Sequence, residues 1–189
     1  MIILIGRSGS GKDTIAKRLF EMGMERVVSY TSRPIRPGET DGVEYHFISA
    51  HDFCEKQVAG FFAEYSCFKV YTDDIWYYGS AKSELKPKSL MIADPDRVRK
   101  LIKSSPVPCM VVHILCPRLV SEERTLERGD NVNEITRRLD ADDRDFESLN
   151  DITNFAIRND GLLSISEIAK LIMDMHSVFM SACERKEIK

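Results

Sequence analysis

The chain has 189 residues and a formal net charge of -3 from 27 basic and 30 acidic side chains. That size fits one sizeable domain, and the balance leaves no global basic field to recruit nucleic acid or an anionic membrane. A hydrophobic content of 43% suffices for a proper core, which argues against disorder as the main state.

The start, MIILI, reads as a buried strand, and Asp13 to Met22 as a helix with Ile15, Ala16, Leu19 and Phe20 on one face, ending at Gly23. RVVSY reads as a second strand. In SRPIRPGETDG, Pro34 and Pro37 forbid helix and ladder alike, so this run is an irregular loop that hands over to a strand at VEYHFIS. SAHDFCEKQV follows as a short helix opened by Ser49, and FFAEYSCF and IWYYGS as strands separated by the turn-prone YTDD. SLMIAD is a further buried strand, succeeded by a helix with Pro95 in its first turn. VPCMVVHIL is the most hydrophobic strand. Two charged helices come next, roughly Leu119 to Glu127 and Val132 to Leu149, joined across Gly129. NFAIRND is the last strand, and the terminal helix opens with the capping-box pair Ser164 and Glu167 and buries Ile165, Ile168, Ile172 and Met175. Strands alternating with helices predict an α/β fold: a mostly parallel central sheet between two helical layers, with ligands beyond the carboxyl ends of the strands.

Within that order, GRSGSGK satisfies the phosphate-loop pattern G-x-x-x-x-G-K between a predicted strand and a predicted helix. Gly6, Gly9 and Gly11 let successive N–H groups converge on phosphate oxygens, with Arg7, Ser8 and Ser10 between them, and the helix N-terminus adds about half a positive charge. Lys12 supplies a mobile charge for oxygens that become more negative during transfer. Asp13 stands where a hydroxyl usually follows the lysine, and the hydroxyl arrives one residue later at Thr14. A carboxylate in the first helical turn is favourable to the dipole.

SYTSRPIRPGETDGVEYHFIS resembles the nucleoside-monophosphate-binding segment of guanylate kinases, with its internal spacing intact from Ser29 to Phe47. That resemblance implies the three-layer P-loop kinase fold, a helical lid and an inserted GMP-binding subdomain. The division it implies places a core in residues 1–30, 86–116 and 152–189, the GMP part in 31–85 and the lid in 117–151. It further implies ATP on Gly6 to Thr14, GMP opposite, and Mg²⁺ held mainly by phosphates and water, with Thr14 or Asp94 as the protein groups available to it. Arg33, Arg36 and Tyr45 would grip the GMP phosphate, which suits guanidinium forks and a phenol, and Ser29 would lie near the base. YYGS resembles the family's tyrosine-glycine-hydroxyl element, so Tyr78 would reach the phosphate and Ser80 guanine O6. Glu64 matches the glutamate that accepts guanine N1–H and N2–H₂, although the segment from Glu64 to Tyr78 is longer than in the family pattern.

In MIADPD, Asp94 and Asp96 resemble the strand-end acidic pair, for the guanine edge or for waters on magnesium, with helix N-capping as the other role open to Asp94. ERGDNVNEITRRL resembles the lid, whose Arg128 and Arg138 would close over ATP phosphates, with Arg137 and Arg144 as stand-ins. Lys12, Arg36, Arg128 and Arg138 form the implied catalytic set, and Asn159 in RND would lie along adenine. CPR replaces the family's proline pair after the preceding strand.

GSGKD together with NDG is also similar to ribose 1,5-bisphosphate phosphokinase, which lacks the RPIRPGETDGVEYHF pattern, and another monophosphate acceptor such as dGMP is the further alternative with the same donor chemistry. A non-catalytic module docking a phosphopeptide on the arginine loop, and a P-loop hydrolase or switch, are the readings from other classes. Lys12 and the intact glycine loop argue against the module. His46, His113, Met173, Met175 and Met180 read as packing residues. Five cysteines, odd in number and without C-x-x-C spacing, argue against a disulfide framework or zinc site and fit a reducing cytoplasm. The apolar start is too short for a membrane span and lacks a signal peptide's basic lead. The expected partners are therefore ATP and GMP, without nucleic acid or membrane, for a monomer or homodimer.

Overall fold

The computed structural model describes residues 1–69, 74–127, 136, 139–140, 142–143, 145–146 and 149–187. Five strands, β1 (Ile2–Ile5), β2 (Glu25–Arg26), β7 (Ser89–Ile92), β8 (Met110–Leu115) and β9 (Phe155–Arg158), form a parallel sheet in the order β2-β7-β1-β8-β9. β1 is at its centre and buried at every position. Alternate residues serve opposite layers: Ile2 and Leu4 pack with Ile15, Leu19, Ile168 and Ile172, whereas Ile3 and Ile5 pack with Val98, Leu101 and Ile152. These partners belong to α1 (Lys12–Glu21) and the terminal helix α5 (Ile165–Glu187) on one face, and to α3 (Pro95–Ser104) and the turn at Ile152 on the other. Burial on both faces explains why the central strand β1 is continuously apolar rather than alternating.

A second, four-stranded sheet has the order β4-β3-β6-β5, from β3 (Tyr30–Thr31), β4 (His46–Phe47), β5 (Phe62–Lys69) and β6 (Ile75–Ala81). Helix α2 (Ala50–Val58), capped by Ser49, covers it through Phe53, which stacks on Phe62 at 4.3 Å and Tyr77 at 5.4 Å between ring centroids. Helix α4 (Arg118–Glu127) follows β8.

Two predicted strands differ from this arrangement. RVVSY is not one strand: Glu25 and Arg26 pair with β7 in the large sheet, Tyr30 and Thr31 pair with β4 and β6 in the small one, and the chain crosses between sheets from Val27 to Ser29. VEYHFIS shortens to His46–Phe47, because β3 offers it only two partners. The predicted helix from Val132 to Leu149 and the turn YTDD lie largely outside the described residues. The capping box is present, with the Ser164 N–H donating to Glu167 Oε2 at 2.8 Å and the Glu167 N–H to Ser164 Oγ at 3.2 Å.

Candidate active site

The loop from Gly6 to Gly11 leaves the carboxyl end of β1 and opens α1. Gly11 caps that helix at φ +88°, and a Cβ there would strike the Asn159 amide, so conformation and space both require glycine. Asn159 buttresses the loop: it is buried, its Nδ2 donates to the Ser10 carbonyl at 2.8 Å, and its backbone N–H donates to Leu115 O at 2.8 Å. Lys12 Nζ curls back on the loop, donating to Gly6 O at 2.6 Å and Arg7 O at 2.7 Å. Asp13 and Thr14 are exposed on the first turn.

The loop already carries an anion. The Ser8 N–H donates to Asp142 Oδ2 at 2.7 Å, and Arg7 pairs with Asp143 at 2.6 Å. Asp143 and Asp140 both pair in turn with Arg118, whose ionisation they push further upward. Nearby, burial and then the charges of Arg7 and Lys12 hold His113 below its ordinary pKa, so the imidazole is neutral beside this positive loop.

Across the cleft, the small sheet gathers two clusters. In the first, Arg33 is 4% exposed and forms a bidentate pair with Glu39, Nη2 to Oε1 at 2.7 Å and Nη1 to Oε2 at 3.0 Å. The hydrogen bond from Arg33 and the one from the Arg36 amide, at 2.8 Å, hold the Glu39 carboxyl below its usual range. Tyr45 lies under the Arg33 guanidinium, 5.6 Å from its ring centroid, and meets Tyr78 edge to face at 5.9 Å. The Arg36 side chain is exposed on the same loop.

The second cluster is built by strand register. Glu64 and Ser80 are cross-strand partners in β5 and β6, so a longer hairpin lengthens both strands without separating them. The Ser80 and Ser29 hydroxyls are 3.1 Å apart. Glu64 is almost fully buried, which a carboxylate tolerates only when paired. Its partner is Arg97, on the first turn of α3. Asp94, at the end of β7, caps that helix by accepting the Arg97 N–H at 2.8 Å, and also lines the cleft beside Asp96.

Sequence reasoning assigned no role to Arg97, Glu39 or Asp142. Glu39 lies inside the motif, which is a local signal. Arg97 and Asp142 meet partners 33 and 134 residues away in sequence, and only the packing of α3 and the acidic segment brings them there. Arg128 and Arg138, with the stand-ins Arg137 and Arg144, lie outside the described residues. Among the described residues no cluster of three or more His, Cys, Asp or Glu could cage a metal ion, and no helix is long and apolar enough to cross a membrane.

A phosphate loop at the end of the central strand, facing a small sheet that gathers arginine, tyrosine and a buried carboxylate, defines a P-loop kinase. The guanylate kinase family model matches residues 1–175. Guanylate kinases of Salinibacter ruber and Gloeobacter violaceus are 31% and 33% identical to the chain, over 85% and 92% of it and 88% and 86% of their own lengths. The crystal structure of guanylate kinase from Anaplasma phagocytophilum superimposes with a TM-score of 0.66 at 20% identity, covering 95% of this chain and 85% of the other. The chain belongs to the guanylate kinase family, and its activity is that family's phosphotransfer.

Proposed function

We propose that the chain transfers the γ-phosphoryl of ATP to the phosphate of GMP, releasing ADP and GDP. The observation that carries this reading is the shared cleft. One cavity, of about 260 Å³, touches Gly6, Ser8 and Lys12 on the donor side and Asp94 and Arg97 on the other, and a second, of about 770 Å³, continues from Asp94 and Arg97 to Glu64. Donor and acceptor can therefore face each other across one space. A loop of amides and Lys12 suits the β- and γ-phosphates, Arg33, Arg36, Tyr45 and Tyr78 suit the acceptor phosphate, and Glu64 with Ser29 and Ser80 suits the guanine edge. The chemistry needs positioning and charge neutralisation, not a protein nucleophile.

Mg²⁺ fits this donor set in one way. With no protein-built cage among the described residues, it would be held by ATP oxygens and water, with Thr14 or Asp94 as the protein group available to that shell. When bound it neutralises the phosphate charge. Guanidinium groups of the lid, Arg128 and Arg138, complete the reading. Five free thiols accord with a reducing cytoplasm.

The test is an acceptor screen with ADP release as readout, comparing GMP, AMP and ribose 1,5-bisphosphate. GMP is the expected acceptor, and Lys12→Met is expected to lower kcat by about 10²–10³-fold with the KM for GMP little changed. Absence of GMP turnover would sink the proposal.

A further inference from the structure

Arg97 occupies the place that the acceptor's base would need. Its Nε donates to Glu64 Oε1 at 2.7 Å, and its Nη2 donates to Ser29 Oγ at 2.6 Å and Ser80 Oγ at 2.7 Å. All three groups assigned to the guanine edge are thus satisfied by one side chain of the same molecule. We infer that Arg97 is an internal competitor of the base: it holds the guanine-edge groups in the free protein and must withdraw before a purine edge can enter. This rests on the GMP reading above.

The chemistry makes the substitution specific. Guanine presents N1–H and N2–H₂ on one carbon, and a guanidinium presents Nε–H and Nη2–H₂ on one carbon in the same planar arrangement. Both claim the same carboxylate. The two hydroxyls accept from Arg97, whereas guanine O6 would need them as donors, and a hydroxyl changes role by rotating its hydrogen without moving its oxygen. Exchange of the guanidinium for the base therefore leaves Glu64, Ser29 and Ser80 where they are.

The surroundings allow the withdrawal. The Arg97 side chain is 21% exposed, against 1% for Glu64. It forms the partition between the cavity reaching Glu64 and another of about 440 Å³ reaching Ser29 and Tyr45. The lining of the first mixes Asp94, Asp96 and Asp145 with Arg99 and Lys100, and since Asp96 pairs with Arg99, Asp94 and Asp145 are the carboxylates to which a released guanidinium would move. Withdrawal also takes the Nε–H donor from the buried Glu64, and the base that enters offers it a donor pair in place of that single bond. A base edge without such a pair, as in adenine, does not.

The experiment is calorimetric titration of the full chain with GMP, and separately with ATP, for the parent, Arg97→Ala and Arg97→Lys. Arg97→Ala is expected to bind GMP about tenfold more tightly, the order expected from removing hydrogen bonds to a charged but partly exposed group. Arg97→Lys keeps the charge and the stem but loses the fork, and is expected to fall between the two. ATP affinity is expected to stay constant in all three. Unchanged or weaker GMP binding in the folded variants, with the parent binding GMP normally, would overturn the role of Arg97 alone and would make it a reader of the base. If all three bind ATP and none binds GMP, the acceptor reading and this inference fall together.

Discussion

Arg33 shows how a motif residue can be present and yet already engaged. Its fork is closed on Glu39 and its Nη1 also donates to the Pro34 carbonyl at 2.8 Å, so three of its five donors are taken before any phosphate arrives. Glu39 in turn holds the Arg36 amide, so one carboxylate sets the position of both arginines. Glu39→Ala is therefore expected to raise the KM for GMP about tenfold while leaving the KM for ATP unchanged, as initial-rate measurements would reveal. A fall in the GMP KM would instead mark Glu39 as a rival of the phosphate. The motif pointed to these arginines as candidate ligands of the acceptor phosphate, because a loop fixed by prolines needs no distant partner. It could not disclose that the carboxylate at the motif's own centre takes the fork.

At the scale of elements, the phosphate loop was readable because every requirement is local: apolar strand, glycines, lysine and helix lie within one short stretch. What sits on the loop was not. Asp142 reaches the Ser8 amide from a segment far along the chain and presents a carboxylate where an anionic ligand is expected. Removing it is expected to strengthen nucleotide binding, so Asp142→Ala should lower the Kd for ATP several-fold, about the worth of one charge-assisted hydrogen bond discounted for exposure. Equilibrium titration with ATP checks this, and weaker binding would show that Asp142 supports the loop rather than occupying it. Asp94 illustrates the converse. Its helix-cap role is present, and the same residue also lines the cleft, because the helix that it caps begins just beyond the strand that ends there.

For the molecule as a whole, the terminal helix ties stability to pH. His176 on α5 is buried, its Nε2 has no hydrogen-bond partner among the described residues, and burial, followed by the positive amino terminus, lowers its pKa to about 4, opposed by a hydrogen bond with the Pro87 backbone. The unfolded chain takes up that proton near 6.5 and the folded one not until about 4, so this group costs stability as pH falls through that window and adds nothing further below it. Urea unfolding at pH 7 and pH 5 should show His176→Gln losing less stability than the parent, by about 1–2 kcal/mol. Equal losses would show that the imidazole is protonated in the fold.

The amino-acid order by itself determined the parallel core and the phosphate loop, since continuous apolar strands, glycine spacing and helix caps act through neighbours along the chain. It also singled out Glu64, Ser80 and the arginine loop, each by its own local pattern. Only the tertiary structure decided that RVVSY divides between two sheets, that Asp142 rests on the loop, and that Arg97 fills the pocket around Glu64. Those outcomes depend on which remote charges burial forces together. A buried carboxylate must find a partner, and which cation arrives is settled by the packing of α3 against β5.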